Sequence, residues 1–288
     1  MTTLLAPADV VRETFNFSVD KFPLSFDGHK TPYYGLFRSD NNECLNSVTD
    51  RYYAHTTDDV VALVEAAQEA FDGDCSVNCW WNKGHHVIVQ PTREYRKAIF
   101  GTRDNVFPRM MINAGYNDTT VAGSLGMWRD ACDNLSIPRS ISAATTSIRH
   151  TASLRPRMNE LIAVFSQLRD SWKSVTEVVA QMQDREVNLN TFLAEVYPTP
   201  EPDSKRAVTN HRDTITEIFR RLSDERFRTG RPSLTAVNGW KVSAFEAYQS
   251  VQGYVQHVQY KNKNENDRIL SAASSKSVLL AEQLAVSA

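Results

Sequence analysis

The amino-acid sequence predicts an α+β fold, with a mixed β-rich part over residues 1–135 and a mainly helical part over residues 136–288. Segments rich in aromatic and β-branched residues, bounded by Asp, Asn and Gly, concentrate in the first part. Apolar residues at helical spacing dominate the second part. The chain has 288 residues, 41% of them hydrophobic, which is enough for a substantial core, and we expect the two parts to pack as one unit.

Five segments of the first part are predicted strands, because each is rich in aromatic or β-branched residues and is bounded by turn-forming residues. They are TPYYGLFRSD (31–40), ECLNSVTDRYYAH (43–55), CSVNCWWN (75–82), HHVIVQPT (85–92) and FPRMMINAG (107–115). One helix is predicted between the second and third strands. Thr56 or Thr57 caps it, Asp58 and Asp59 suit its positive end, and its apolar residues recur at helical spacing up to Phe71.

The second part is predicted to hold one long helix followed by shorter ones. A near-heptad apolar seam defines the long helix and suits packing against another helix or a second subunit, so self-association is expected. The seam consists of Leu154, Met158, Leu161, Phe165, Leu168, Trp172, Val175, Val179 and Met182. A proline-rich breaker at 197–204, a basic helix around 206–222, a Gly-Pro loop at 229–233 and two C-terminal helices follow. Residues 140–152 form either a strand or a loop.

No enzyme signature is found, so the chain is expected to be non-catalytic, with no catalytic residue, metal or cofactor. It lacks a phosphate-binding loop, a nucleophile elbow and a zinc-protease motif. Cys75 and Cys79 with the adjacent histidines do not have the spacing of a zinc site and are better explained by a strand. Glu94 and Lys97 invite a nuclease interpretation, but no upstream carboxylate has the spacing expected of a metal ligand, and a helix-start salt bridge explains the pair.

The chain is expected to lie in the cytoplasm, with no membrane association. No apolar run approaches the roughly 18–20 residues that a membrane span requires. The N-terminal sequence MTTLLAPADV has neither the basic nor the apolar region of a secretory signal. Four scattered cysteines also fit a reducing compartment.

Charge is distributed unevenly along the chain. Residues 1–79 hold five Lys/Arg and thirteen Asp/Glu, whereas residues 205–231 hold eight and four. Such asymmetry suggests a polyanionic partner for the basic region, although basic runs are also common on solvated faces. The acidic first part is predicted either to repel DNA or to dock a basic surface of a polymerase.

Basic and aromatic residues cluster in the way that single-stranded nucleic acid requires, with cations for phosphates and rings for stacking on bases. The predicted nucleic-acid-binding residues are Arg149, His150, Arg155, Arg157, Arg226, Phe227, Arg228, Arg231, Tyr260, Lys261 and Lys263. Trp80, Trp81, Lys83, His85 and His86 form a similar but secondary cluster. The competing interpretations are a core position for Phe227 and favourable helix-dipole positions for the two lysines.

A row of glutamines runs along one predicted helix. Gln249, Gln252, Gln256 and Gln259 lie about 100° around the helix from an apolar seam that includes Tyr248 and Val255. The apolar seam is predicted to dock the helix onto the core. The glutamine row is predicted to face solvent or a second subunit.

The order of motifs resembles a phage- and plasmid-borne family defined only as a domain of unknown function. The resemblance is carried by YYGLFRSDNNECLNSVTDRYYAHTTDDVVALVEAA, FPRMMINAGYNDT, Arg149-His150-Thr151 and a helix with Trp240, Ala247, Tyr248, Val251, Tyr254 and His257. The chain departs from the family pattern at Gln249-Ser250 and in lacking glycines near residue 117. In size and character it also resembles the single-stranded-DNA-binding RNA polymerase cofactors of some podophages.

These resemblances imply a sequence-nonspecific, single-stranded-DNA-binding phage protein that assists transcription or replication and recombination. They also imply a fold other than the standard oligonucleotide-binding barrel, and a phage RNA polymerase or replication protein as partner. The alternatives are a strand-annealing protein, a protein-only adaptor or host inhibitor, and a metal-dependent nuclease.

Overall fold

The structure, a computed structural model, describes residues 5–91, 95, 97–98, 104–116, 120–130, 132, 134–136, 145–151, 153–263 and 265–287. Strands dominate the first half of the chain and helices the second, and the strands pair in antiparallel sheets. The predicted α+β fold class is therefore confirmed.

Contacts divide the chain into two compact units with interleaved ranges. Unit 1 comprises Met1–Tyr95, Pro108–Leu125 and Ala143–Trp172, and unit 2 comprises Arg96–Phe107, Gly126–Ser142 and Lys173–Ala288. The predicted division at residue 135 follows composition, whereas each of these units takes residues from both predicted parts.

The helices and strands follow one another in a fixed order along the chain. The first half contains α1 (Pro7–Thr14), β1 (Val19–Phe26), β2 (His29–Arg38), β3 (Cys44–Thr49), α2 (Thr57–Ala70), β4 (Cys75–Trp81), β5 (Gly84–Pro91), β6 (Lys97–Ala98), β7 (Asn105–Gly115), β8 (Thr120–Arg129) and β9 (Asn134–Ser136). The second half contains β10 (Thr145–Arg149), α3 (Leu154–Asp184), β11 (Glu186–Asn188), α4 (Leu189–Val196), α5 (Lys205–Arg228), β12 (Lys241–Ser243), α6 (Ala244–Tyr254), a π-helical segment (Val255–Gln259), α7 (Glu265–Ala273) and α8 (Lys276–Ser287).

Unit 1 contains a three-stranded antiparallel sheet in the order β1-β2-β3. Its inner face buries Leu36, Leu45 and Val48 against Tyr116. All five predicted strands are present, and β1 is an additional strand that the sequence analysis missed. Pro23 and the charged residues of VDKFPLSF obscure the apolar alternation that identifies a strand.

The larger sheet has the order β10-β8-β7-β5-β4. β10 settles the ambiguous region 140–152 in favour of a strand for residues 145–149. α3 lies against β8 at Gly123, where an added Cβ would come within 2.6 Å of the Phe165 ring. A glycine is therefore required for this close approach of helix and strand.

The helix predicted between the second and third strands and the predicted long helix are both confirmed, as α2 and α3. Thr56 caps α2 in a capping box with Asp59, in which the Thr56 hydroxyl accepts a hydrogen bond from the Asp59 amide at 3.2 Å. α3 carries the predicted seam, and its described seam residues from Leu154 to Met182 are buried. The side chain of Leu168 lies outside the described residues.

Unit 1 also buries a cluster of histidines among aromatic rings. His55 Nε2 lies 2.9 Å from His85 Nδ1, and the His55 ring is 5.1 Å from that of His150. The Tyr116 hydroxyl donates to the His55 carbonyl at 2.7 Å. Burial lowers the pKa of His85 to about 3, and burial with the neighbouring histidines lowers the pKa of His55 well below 6.5. These rings are accordingly neutral at pH 7.

Unit 2 is built around α6, whose residues from Ala244 to Gly253 are buried. α6 packs against α5 and α8, and the short β11–β12 pair precedes it. The predicted proline-rich breaker lies between α4 and α5, and α4 itself was not predicted. The last of the two predicted C-terminal helices is divided into α7 and α8. In the part of the chain that the structure describes, no helix has the length and apolar character needed to cross a membrane.

Candidate nucleic-acid interface

The second half of α5 carries an exposed aromatic ring among arginines. The Phe227 side chain is 86% exposed, and Arg228 beside it is also exposed. Arg220 and Arg221 lie seven residues earlier, which places them two turns away on the same side of the helix. Phe227 is therefore not a core residue, and the alternative interpretation of this ring is wrong.

A cavity of about 470 Å³ opens beside this part of α5. Arg220, Arg221, Phe227 and Arg228 contribute to its lining, and Asn134 contributes from β9. Gln249 and Gly253 contribute from α6. Its volume falls within the range of about 300–1,000 Å³ that is typical of ligand sites.

Arg220 differs from Arg221 and Arg228 of the cavity because it already forms ion pairs with two carboxylates. Its Nη2 lies 2.6 Å from Glu217 Oε1 and its Nη1 2.8 Å from Asp224 Oδ2. A hydrogen bond from Arg220 lowers the pKa of Glu217. We therefore regard Arg221 and Arg228 as the cations best placed to meet a phosphate at this cavity.

A buried ion cluster lies behind the cavity. Arg129, at the end of β8, is fully buried, donates from Nε to Asp104 at 2.9 Å and lies 2.5 Å from Glu225 Oε1 on α5. Burial raises the pKa of the adjacent Cys132 thiol to about 12, so this thiol is neutral at pH 7. The cluster ties α5 to the end of β8 and was missed by the sequence analysis, because its members are far apart along the chain.

A second buried cluster accounts for two predicted binding residues. Glu246 is buried at the start of α6 and lies 2.6 Å from Arg226 Nη1 and 2.8 Å from Arg231 Nη1. Arg226 also donates from Nε to the Pro232 carbonyl at 2.6 Å. Both guanidinium groups are thus engaged inside the protein, and we correct the prediction by removing Arg226 and Arg231 from the candidate interface.

The glutamine row of α6 is internal. Gln249, Gln252 and Gln256 are 1–2% exposed, so the prediction of a row facing solvent or a subunit is wrong for these three. Asn134 Nδ2 donates to the carbonyl and to Oε1 of Gln249 at 3.1 and 3.0 Å, and Gln252 donates to Gln256 at 3.3 Å. Amide groups that bond to one another are tolerated in a core, whereas unbonded ones are costly.

Position 253 of α6 has little room for a side chain, which explains why it is a glycine. A Cβ at this position would lie 3.2 Å from Oδ1 and 3.3 Å from Nδ2 of Asn134. The His257 ring approaches the same Asn134 Oδ1 at 3.1 Å through Nε2. Asn134 is therefore fixed by α6 and the π-helical segment.

The predicted cluster at the exit of the π-helical segment lies on the surface of unit 2. Lys261 and Lys263 are exposed, and Tyr260 is partly exposed. Lys263 Nζ lies 4.9 Å from the centre of the Tyr260 ring and donates to Ser271 Oγ at 2.7 Å. Their role in nucleic-acid binding stays a prediction.

The four predicted residues of the Arg149–Arg157 region belong to unit 1, whereas the α5 cluster belongs to unit 2. Arg149 is exposed, and Arg157 is partly exposed, 3.6 Å from Glu160. His150 is 4% exposed, stacks on Tyr52 at 4.8 Å and is removed from the candidate interface for that reason. The side chain of Arg155 lies outside the described residues.

The secondary tryptophan–histidine cluster lies in unit 1 and is largely occupied by internal contacts. The Trp80 ring stacks on the His86 ring at 5.2 Å. The Arg38 guanidinium lies 4.7 Å from the centre of the Trp81 ring, and His85 belongs to the buried histidine cluster. These contacts explain the tryptophans without a ligand.

Comparison with known families places the chain in a family whose activity is not known. Residues 44–276 match the family described as Domain of unknown function (DUF932). The match covers well over half of the chain, so the protein belongs to this family, and the predicted membership of a family of unknown function is confirmed. Among curated proteins and among solved structures, no match to the chain is found.

Proposed function

We propose that the protein binds single-stranded DNA with little sequence preference, as a non-catalytic accessory factor of phage transcription or of replication and recombination. The observation that carries this proposal is the Phe227 ring, 86% exposed at a cavity lined by Arg221 and Arg228. A solvent-facing phenylalanine gains nothing from burial in the free protein, whereas a base that stacks on it contributes about 1–3 kcal/mol.

The surroundings of Phe227 suit a nucleotide in two further respects. α5 carries seven Lys/Arg and four Asp/Glu, and its exposed arginines provide the guanidinium forks that bind phosphate oxygens. Phe227, Arg221 and Arg228 line one cavity, so a base stacked on the ring has cations beside it for its phosphate. Every base has a flat face, so stacking of this kind is tolerant of sequence.

The finer parts of the proposal concern partners and location. They include a phage RNA polymerase or replication protein as partner, assembly with further copies of the chain, and action in the cytoplasm of the host cell. The transcription branch of the proposal rests on the resemblance in size and character to podophage RNA polymerase cofactors such as Drc. These parts depend on single-stranded DNA binding being found first.

The decisive experiment measures the fluorescence anisotropy of a labelled oligothymidylate of about 16 nucleotides against protein concentration. We expect binding at about 50 mM salt, with an affinity that falls steeply as salt rises because each phosphate contact releases counterions. The Phe227→Ala variant should bind roughly 5- to 150-fold more weakly, which corresponds to about 1–3 kcal/mol. The Arg228→Gln variant should reduce the salt slope by about 0.7.

The Val237→Ala variant is the matched control, since Val237 is 99% exposed in the loop that follows α5. It removes an exposed apolar side chain of the same unit and should leave the affinity unchanged. An absence of binding at low salt, or equal binding by the wild type and Phe227→Ala, would reject the proposal. The absence of binding would favour the protein-only adaptor.

A further inference from the structure

The outer face of the β1–β3 sheet, the side opposite Leu36 and Val48, is largely apolar and open. Phe22 is 55% exposed and Tyr33 is 52% exposed. Phe22 pairs with Gly35 across β1 and β2, and the Phe22 ring lies 6.1 Å from the Phe37 ring. Phe26, at the tip of the same hairpin, is 79% exposed. These rings form one patch along the hairpin.

Gly35 allows the patch to be continuous. A Cβ at this position would lie 2.4 Å from the Phe37 ring and 3.1 Å from Leu24 Cδ2. The two side chains therefore close over the main chain at Gly35 and leave a smooth apolar surface on the outer face. The inner face already supplies the core of this sheet, with Leu36 fully buried, so the outer rings are not needed for that core.

The strands that carry the patch precede, in the sequence, the region that matches the family. The family match begins at residue 44, whereas β1 and β2 span Val19–Phe26 and His29–Arg38. Soluble proteins rarely expose contiguous apolar patches, and those that they do expose commonly bind partners. The hairpin thus adds an exposed aromatic surface to the family domain.

The charges around the patch select the kind of partner. Two carboxylates lie at the patch: Asp20 pairs with Phe37 across β1 and β2, and Asp27 lies in the turn between these strands. The same hairpin carries three cations, Lys21, Lys30 and Arg38. Two of the three cations are engaged on the protein. Lys21 Nζ donates to the carbonyls of Asp50 and Tyr52, and Arg38 pairs with Asp40.

We propose that this outer face docks a protein partner whose binding segment presents apolar side chains flanked by lysine or arginine. Asp20 and Asp27 beside the patch attract such a segment and repel the phosphates of DNA. They also disfavour a symmetric contact between two copies, because that contact would bring the same carboxylates together. The proposal does not depend on DNA binding, since it uses other residues in another unit.

The test uses a labelled synthetic peptide of about ten residues that alternates leucine with lysine, and the same peptide with glutamate in place of lysine. The alternation follows the two-residue period of an extended segment, which puts all leucines on one side. We expect the lysine peptide to bind and the glutamate peptide not to bind. The double variant Phe22→Ser/Tyr33→Ser should bind the lysine peptide at least about tenfold more weakly, as expected for the loss of interface aromatic rings.

Two further variants separate a specific contact from general attraction. Asp20→Asn/Asp27→Asn should weaken binding of the lysine peptide and reduce its salt dependence. Val237→Ser/Val286→Ser removes exposed apolar side chains of unit 2 and should leave peptide binding unchanged. All these side chains are exposed, so thermal unfolding monitored by circular dichroism should show the fold intact.

Three results would overturn the inference. The first is equal binding of the lysine peptide by the wild type and by Phe22→Ser/Tyr33→Ser. The second is a loss of oligothymidylate affinity in that variant, which would make the face a stacking platform for bases. The third is sedimentation of the wild type as a dimer and of the variant as a monomer, which would assign the face to a second copy. Failure of the Phe227 experiment would leave the inference intact.

Discussion

The two units bury polar side chains in opposite ways. Unit 1 places His55 and His85 among aromatic rings, where burial keeps both imidazoles neutral. Unit 2 buries full charges, with Arg129 between Asp104 and Glu225. A neutral histidine tolerates an apolar interior until it is protonated, whereas a buried guanidinium depends on its carboxylates. Unit 1 is therefore sensitive to acid below about pH 6.5, and unit 2 is sensitive to the loss of any one charged partner.

The largest expected effect is the loss of the buried cation in unit 2. Arg129→Met leaves the buried carboxylates of Asp104 and Glu225 without their cation, and breaking a buried pair costs about 3–5 kcal/mol. Hydrogen exchange of the α6 amides should report this loss in the free energy of local unfolding, because α6 forms the core of unit 2.

The matched control is Arg12→Met, at an arginine that is half exposed and lies 3.6 Å from Asp58. This change should cost at most about 1 kcal/mol, as is usual for exposed ion pairs. The triple variant Arg129→Met/Asp104→Leu/Glu225→Leu should recover most of the lost stability, since packed apolar residues commonly replace a buried ion cluster. An Arg129→Met variant as stable as the wild type would contradict the contrast between the units.

The next largest expected effect is a loss of the stability of unit 1 in acid. The folded-state pKa of His85 is about 3 and its ordinary value is 6.5, so the unfolded chain binds the proton more readily between these values. The stability contributed by the neutral ring is therefore present above pH 6.5 and is lost as the pH falls. At pH 4 the loss should be on the order of 3 kcal/mol, measured from hydrogen exchange of β5 amides after correction for intrinsic rates.

The His85→Asn variant tests the origin of this acid loss. Asparagine keeps a polar group near His55 but does not titrate, so the variant should lose less stability than the wild type between pH 7 and pH 4. Parallel losses in the two proteins would show that other groups govern the acid response of unit 1.

The smallest expected losses of stability come from removing a helix N-cap, and they should be equal in the two units. Thr56 in unit 1 and Ser243 in unit 2 each accept a hydrogen bond from the main-chain amide three residues on, at 3.2 Å in both cases. Thr56→Ala and Ser243→Ala should each cost about 1 kcal/mol, measured by urea unfolding. A much larger loss for Ser243→Ala would mean that the cap and the Glu246 ion cluster stabilise each other, and the contrast would then extend to the caps.

Elements whose signals are local could be predicted from the sequence. The cap at Thr56 and the seam from Leu154 to Met182 lie within one helix each, and both helices are present. β8 was missed because TVAGSLGMWR has small residues in place of the usual aromatic and β-branched ones. Residue 123 of β8 is a glycine because the Phe165 ring of α3 occupies the space that a Cβ would need. The sequence around residue 123 does not reveal this contact.

The candidate site was only partly predictable for the same reason. Phe227 and Arg228 were identified from their composition, but the predicted helix ended near residue 222, whereas α5 continues to Arg228. That shorter helix hid the two-turn spacing that joins Arg221 to Arg228. The buried state of Gln249 depends on Asn134, which lies 115 residues earlier in the chain. Side chains whose partners are distant in sequence carry no local sign of burial.

The interleaving of the two units has a consequence for how such a protein is inherited. The chain passes from one unit to the other after residues 95, 107, 125, 142 and 172. A segment that contains all of unit 1 must extend to residue 172, and it then carries two pieces of unit 2 as well. Exchange of one continuous gene segment cannot transfer either unit alone. The β1–β2 hairpin lies in one continuous segment before the family match, yet β2 pairs with β3 and buries Leu36, so the rest of unit 1 depends on it.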